Sequence, residues 1–374
     1  MRTFCQIFCN ILIIICFTFT SCIEDYRFFV GGFTSKPDDK GLSVYDFNSR
    51  KGELKFISES EVGPNPSYFC YSNKNKLIYV LNEVMEFNGN FGGGLTTLRF
   101  DNKGQFEKQK EILLPYAEPC YISMSADSGY LFIANYPNGS VAVVKLDDNG
   151  VPESITDTIL YVKEEPDISH AHMITHDPAG KHVYVTDLGL DRIVIYDFDR
   201  YAGQLNQANN GIITLPKGSG PRHFVFNAEG SRLYVINELG STVMVFNVDE
   251  AQGLALLQTL PTVREGFEGN NYCADIHLDK NGRFLYGSNR GENTIVTFKI
   301  DSNGLLSLAG HTSCGGDWPR NFVIDPSGRF LLVGNQKSNN ISVFRINRKT
   351  RMPSGPVKNI EIKTPACLKF VITK

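Results

Sequence analysis

The sequence predicts an all-β chain folded as a seven-bladed β-propeller, on three observations. A two-strand segment recurs six times in full and once in part, spaced near 50 residues. Its strands alternate apolar and polar residues at period two and are rich in Val, Ile, Tyr and Phe. The partial copy at the C-terminus lacks a second strand, and a second strand without a first one stands near the N-terminus.

Each copy opens on Pro or a small residue, turns on Asn, Asp or Gly, and ends its second strand on Asn or Asp. In order they are NPSYFCYSNKNKLIYVLNE from Asn65, EPCYISMSADSGYLFIANY from Glu118, HAHMITHDPAGKHVYVTDLG from His170, GPRHFVFNAEGSRLYVINELG from Gly220, YCADIHLDKNGRFLYGSNRG from Tyr272, WPRNFVIDPSGRFLLVGNQ from Trp318 and TPACLKFVITK from Thr364. Aligning them on the closing Asn or Asp puts Pro66, Pro119, Ala171, Pro221, Cys273 and Pro319 in register, with Pro365 placed by its own strand. The intervals, by subtraction, are 53, 52, 50, 52, 46 and 46 residues. Runs such as RLYVINE and FLYGSN leave no stretch of 3.6-residue period, which excludes helical solenoids. Stretches such as SVAVVKLDDNGVP and RIVIYDFDRYAGQL supply the outer strands of each blade, closing on short glycine-containing hairpins. The strand YRFFVGGFTS from Tyr26 is expected to pair with the C-terminal strand in one blade, which closes the ring and leaves no unpaired inner edge. One propeller domain over residues 22–374 follows.

Residues 1–21 form a separate unit. Met1-Arg2 precedes the apolar run IFCNILIIICFTFT, too short to span a bilayer comfortably, which ends in Thr20-Ser21-Cys22. This resembles a bacterial lipoprotein signal, with Phe19 where that family has Leu. The resemblance implies cleavage before Cys22, lipid attachment to Cys22 and a membrane-anchored propeller in the cell envelope, periplasmic or at the surface. Glu24-Asp25 resembles the export tag of some surface lipoproteins. Cys70, Cys120, Cys273, Cys314 and Cys367 would then remain. An odd, scattered set argues against a disulfide framework, and none has zinc-site spacing. Cys70, Cys273 and Cys367, in apolar strands, read as packed core thiols.

A formal charge of −3 carries no basic excess that would suggest nucleic acid, so a basic cluster must be sought locally. In a propeller the first strands line a central channel, and equivalent repeat positions form rings around it. The residue after the register position gives Ser67, Cys120, His172, Arg222, Ala274, Arg320 and Ala366. The residue after the closing Asn or Asp gives Glu83, Tyr136, Leu188, Glu238, Arg290 and Gln336. Small residues fill most of the first ring, so His172, Arg222 and Arg320 stand out, and Glu238 and Arg290 add charge to the same sector. Guanidinium forks bind carboxylate or phosphate oxygens, while Glu238 or His172 can move protons, a set suited to an anionic substrate with a scissile acyl–oxygen bond. Arg–Glu pairs also tie blades together, and a structural role for these residues stays open. His170 and His223 flank the ring, where hydrogen bonds between blades are expected. His170 joins Arg222 and Arg320 on the expected substrate side. His176, His182, His277 and His311 do not cluster, so neither a metal nor a cofactor is expected. Asn135, Asp187, Asn237, Asn289 and Asn335 share one repeat position and read as strand-end hydrogen-bonding groups.

HAH, GPRH, INE, SNRG and WPRNF, in that order along the whole chain after the signal, are similar to the seven-bladed lactonase family, which contains propeller-type 6-phosphogluconolactonases and the fungal carboxymuconate-lactonizing enzyme. The resemblance implies an active site of one histidine, two arginines and a glutamate: His172 in HAH, Arg222 in GPRH, Glu238 in INE and Arg290 in SNRG, with Arg320 in WPRNF a further candidate. It implies hydrolysis of a small sugar lactone bearing phosphate or carboxylate, without metal. Two alternatives remain: cycloisomerisation of an unsaturated dicarboxylate, and a non-catalytic surface propeller whose exposed aromatics, such as Phe87, Phe91 and Tyr116, bind a glycan or protein. The glycine-rich insertion EVMEFNGNFGGGL from Glu83 is placed near the channel as a lid or a plain turn.

Overall fold

A computed structural model of the chain describes residues 26–371, apart from 35, 37–38, 102–103, 162–167 and 250–252. The expected signal, residues 1–21, and Cys22 lie outside the described residues. Seven four-stranded antiparallel sheets, ordered from channel to rim as first to fourth strand, make up the fold. Blade one comprises Tyr68–Ser72, Leu77–Asn82, Gly94–Phe100 and Phe106–Leu113. Blade four, which bears much of the site, comprises Pro221–Phe226, Arg232–Asn237, Thr242–Asp249 and Gly253–Pro261. Blades two, three, five and six begin at Pro119, Ala171, Tyr272 and Pro319. In blade seven the C-terminal strand Pro365–Val371 is innermost and pairs antiparallel with Tyr26–Gly32, followed by Leu42–Asn48 and Glu53–Ser60. The ring therefore closes as expected, joining residues from the two ends of the chain.

Burial explains the strand patterns. Second strands such as Leu77–Asn82 and Tyr130–Asn135 are buried throughout, because both faces of a middle strand meet neighbouring blades. Outer strands such as Glu53–Ser60 show the half-exposed pattern of a rim. Neighbouring blades are also latched by tyrosines. The hydroxyls of Tyr79, Tyr130, Tyr234 and Tyr286 donate to the carbonyls of Gly150, Arg200, Gly304 and Arg351, in each case in the outer hairpin of the next blade, at 2.7, 3.0, 3.0 and 2.8 Å. In blades one, five and six the closing Asn of the repeat serves the loop that enters its own blade, whereas Asn135 and Asn237 donate to Ser140 and Thr242 of the third strand. Asn82 donates to the carbonyls of Val62 and Pro64, Asn289 to that of Thr262, and Asn335 to that of Cys314. Asp187, the one carboxylate at this position, instead accepts from the His170 backbone N–H at 2.9 Å.

The five described cysteines are free thiols, all buried. The insertion in blade one folds as a small hairpin, Glu86–Phe87 with Asn90–Phe91. Here one expectation is corrected. Phe87 is buried, its ring lying where a Cβ on Gly94 would stand, so it belongs to the hairpin's packing and offers no exposed binding surface; Phe91, 60% exposed, does face solvent.

Candidate active site

The first ring is built by a repeated irregularity. In blades two, three, four and six the register between first and second strands slips immediately after the opening residue: Pro119 pairs with Asn135 and Tyr121 with Ala134, and the same shift separates Ala171 from Met173, Pro221 from His223, and Pro319 from Asn321. The skipped residues are Cys120, His172, Arg222 and Arg320. A bulged residue has no ladder partner, and its side chain is released from strict alternation. Successive residues can then both serve the channel, so Arg222 stands above His223. In blade five the slip takes in Ala274 and Asp275.

Arg222, Glu238 and Arg290 meet at the channel mouth. Glu238 Oε2 lies 2.9 Å from Nε of Arg222 and 2.5 Å from Nη2 of Arg290, so both guanidiniums share one carboxylate oxygen. The Arg222 Nε–H is not aimed for a hydrogen bond, which makes that contact an ion pair. Each fork is anchored further: Arg222 Nη1 donates to the Ala274 carbonyl, and Arg290 donates to the carbonyls of Tyr272 and Cys273 at 3.1 and 3.0 Å. Burial alone would raise the Glu238 carboxyl, but Arg290 and Arg222 outweigh it and hold the group below the usual carboxylate range. Burial, with Arg222 alongside, lowers Arg290 to about 10, still charged at neutral pH.

His172 is 5% exposed, and its Nδ1 is buried without a hydrogen-bond partner. Its ring meets those of His223 and Tyr136 edge-on, with centroids 5.2 and 5.8 Å away. Burial first, then the guanidiniums of Arg222, Arg320 and Arg290 with His223, hold it well below the ordinary imidazole value, hence neutral. His170 sits one step outside. Its ring stacks on Tyr136 at 4.4 Å and its Nδ1 meets the Tyr136 carbonyl at 2.9 Å, a bond between blades two and three.

Arg320 faces the mouth from blade six, with its guanidinium over the Phe33 ring at 5.1 Å and Nη2 4.0 Å from Oε1 of Glu83. Burial lifts the Glu83 carboxyl above the usual range against the pull of Arg320, and the Ser67 hydroxyl contacts its other oxygen. Sequence reasoning placed Glu83 in the ring without a role, and missed Phe33. Phe33 follows Gly32 at the end of its strand as Glu83 follows Asn82, but the missing Asn removed the marker used for alignment. Trp318 was missed as well. The Arg290 guanidinium lies 5.4 Å from its ring centre and Lys337 Nζ 3.2 Å from it.

Below the mouth a second polar layer crosses the channel. Asp275 accepts from Nδ1 of His223 at 2.9 Å, Nε2 of His277 at 3.0 Å and Nδ2 of Asn321 at 2.5 Å. Beneath it a chamber of about 280 Å³ is lined by Tyr68, Tyr121, Thr175, His277 and Lys369, among others. Among the described residues no group of three His, Cys, Asp or Glu side chains is arranged to hold a metal ion.

The sequence matches the family described as lactonase, seven-bladed β-propeller, over residues 27–370. A Formosa agariphila protein named 6-phosphogluconolactonase is 34% identical over 308 residues, covering 79% of this chain and 85% of its own length. The periplasmic gluconolactonase of Pseudomonas aeruginosa superposes with a TM-score of 0.86 at 31% identity, covering 92% of this chain and 99% of that one. A solved Bacteroides fragilis protein gives a TM-score of 0.85 at 31% identity over 94% and 99% of the two chains. With the fold, its ring closure and the match over nearly all described residues in agreement, this chain belongs to the seven-bladed β-propeller lactonase family.

Proposed function

We propose that this protein hydrolyses a sugar lactone at the mouth of its channel. The observation that carries the reading is a buried neutral imidazole, His172, with an unpartnered nitrogen, in the same mouth as Glu238 and three guanidiniums. Water attacks the lactone carbonyl carbon as His172, helped by Glu238, takes its proton. Arg222 and Arg290 stabilise the oxyanion that develops. Collapse breaks the bond between the acyl carbon and the ring oxygen, and the proton passes to that oxygen, giving the open hydroxy acid.

Arg222 and Arg290 already share Glu238, so recognition of a phosphate or carboxylate on the substrate falls chiefly to Arg320, whose nearest carboxylate is 4.0 Å away. That distribution disfavours cycloisomerisation of a dicarboxylate, which needs more than one arginine for the substrate. One observation favours a second reading: Glu238, Arg222 and Arg290 neutralise one another, as they would in a structural clasp of a binding propeller. The test is turnover of 6-phosphogluconolactone and unphosphorylated sugar lactones above the spontaneous background, with Glu238→Gln and Arg222→Ala as controls. Loss in both variants supports the hydrolase; no turnover by the folded unsubstituted protein selects the binding propeller.

The names of relatives, 6-phosphogluconolactonase and periplasmic gluconolactonase, support the substrate class. We further propose cleavage after residue 21 and lipid attachment at Cys22, on the apolar leader and with support from the periplasmic relative. Fatty-acid labelling that survives Cys22→Ala would refute the anchor.

A further inference from the structure

The second layer of the channel is not explained by the proposed chemistry, and its hydrogen bonds run toward the site. Asp275 is buried at the bulge of blade five. Besides His223, His277 and Asn321 it accepts the backbone N–H groups of Ile276 and Phe322, at 3.0 and 3.3 Å. A carboxylate receiving that many donors is ionised and can only accept. The Nδ1 of His223 facing it must therefore carry the proton. On the other side of the same ring, Nε2 lies 3.4 Å from Nη1 of Arg222. A guanidinium has donors only, so Nε2 must be bare. The two neighbours together fix both tautomer and charge: His223 is neutral, protonated on Nδ1. Of its other neighbours, the rings of Tyr68, Tyr121 and His172 meet it edge-on, while His277 shares the Asp275 carboxylate and lines, with Lys369, the chamber that His223 also borders.

We infer that Asp275 and His223 are positioning residues for Arg222. Asp275 holds the imidazole as the Nδ1–H tautomer, and the bare Nε2 then supports the Arg222 fork from below while Glu238 draws it from the side. Orientation matters here because Arg222 is a bulge residue, with no ladder partner to fix its backbone direction. Burial lowers the His223 value to about 4, with Arg222 adding to the effect, in keeping with a neutral ring at physiological pH. The arrangement is the one in which a buried aspartate orients an imidazole, here serving a guanidinium in place of a nucleophile.

The kinetic part of this inference rests on the lactonase reading, whereas its spectroscopic part does not. In the full chain with ¹⁵N-labelled histidine, the signals of His223, assigned by their loss in His223→Phe, should report a protonated Nδ1 and a bare Nε2 at pH 7. A protonated Nε2, alone or with Nδ1, overturns the inference whatever the enzyme does. If lactones are turned over, Asp275→Asn should lower kcat by about 10–100-fold, as removal of an orienting outer partner does, with KM changed less than threefold. Unchanged kcat in folded Asp275→Asn and His223→Phe would also overturn it. Absence of turnover by the unsubstituted chain defeats the lactonase reading alone and leaves the tautomer to decide this one.

Discussion

His172 and His223 meet edge to face across the boundary between blades three and four, their ring centroids 5.2 Å apart and their planes inclined by 69°. Both are buried beside Arg222. Neither ring can charge without placing a second cation against a guanidinium in a desolvated site, so the two imidazoles titrate far from their solution range.

The first consequence concerns activity. With His172 neutral well below the ordinary imidazole range, kcat/KM should stay flat as pH falls through 6.5 and decline only at more acidic values, where the ring gains its proton. Arg320 is one of the cations that depress it. Arg320→Gln should move the acid limb toward higher pH, and a pH–rate profile of both proteins checks this. An unshifted limb would mean that another group sets it.

Stability should respond to His223 in the opposite sense from a salt-bridged histidine. Its folded value, about 4, lies below the unfolded value of 6.5. The unfolded chain therefore binds the extra proton first as pH falls, so stability is lost from about pH 6.5 down to about 4 and levels off below. The loss over that window is about 3 kcal/mol, at about 1.4 kcal/mol per pH unit. Urea denaturation across pH 4–7 should show a shallower slope for His223→Phe.

Glu238 is expected to matter for stability as well as chemistry. Replacing it by Gln leaves Arg222 and Arg290 facing each other without a counter-charge, at a cost of about 3 kcal/mol. Adding Arg290→Met to Glu238→Gln should recover part of that loss, which chemical denaturation of the single and double variants measures. Additive losses would show that the two arginines do not repel appreciably.

Ring closure makes the C-terminal strand indispensable. Deleting residues 365–374 removes the innermost strand of blade seven and uncovers the edge of Tyr26–Gly32. The shortened chain should aggregate or lose its cooperative thermal transition, because an uncovered inner edge is a template for intermolecular pairing. A monomeric product with the original melting temperature would contradict the closure.

Much of the site was legible because a repeat turns sequence position into position around a ring. Repeat register alone distinguishes Arg222, Glu238 and Arg290, which the fold gathers around one Glu238 oxygen, and Arg320 and His172, which share the mouth. Asn135, Asp187, Asn237, Asn289 and Asn335, read as strand-end hydrogen-bonding groups, do bond there: Asn289, Asn335 and Asp187 to the incoming loops, Asn135 and Asn237 to Ser140 and Thr242 at the start of the next strand. Asp275 left a signal that went unused: a carboxylate in the apolar strand YCADIHL has to find partners when buried.

The sequence by itself determined the blade count, the closure by Tyr26–Gly32 with Pro365–Val371, and the polar sector of the channel, since each depends on periodicity, strand pattern and turn residues. Only the tertiary structure decided that Glu238 spends one oxygen on two arginines, that Glu83 answers Arg320 beside Phe33, that Phe87 is buried, and that Asp275 sets the tautomer of His223 beneath the site. Apart from Phe87, which packs within its own hairpin against Gly94, these depend on bulges that redirect side chains and on approaches between blades some 50 residues or more apart in sequence. A linear register gives the order of residues around the channel; the distances across it, which fix charge and proton positions, exist only once the ring has closed.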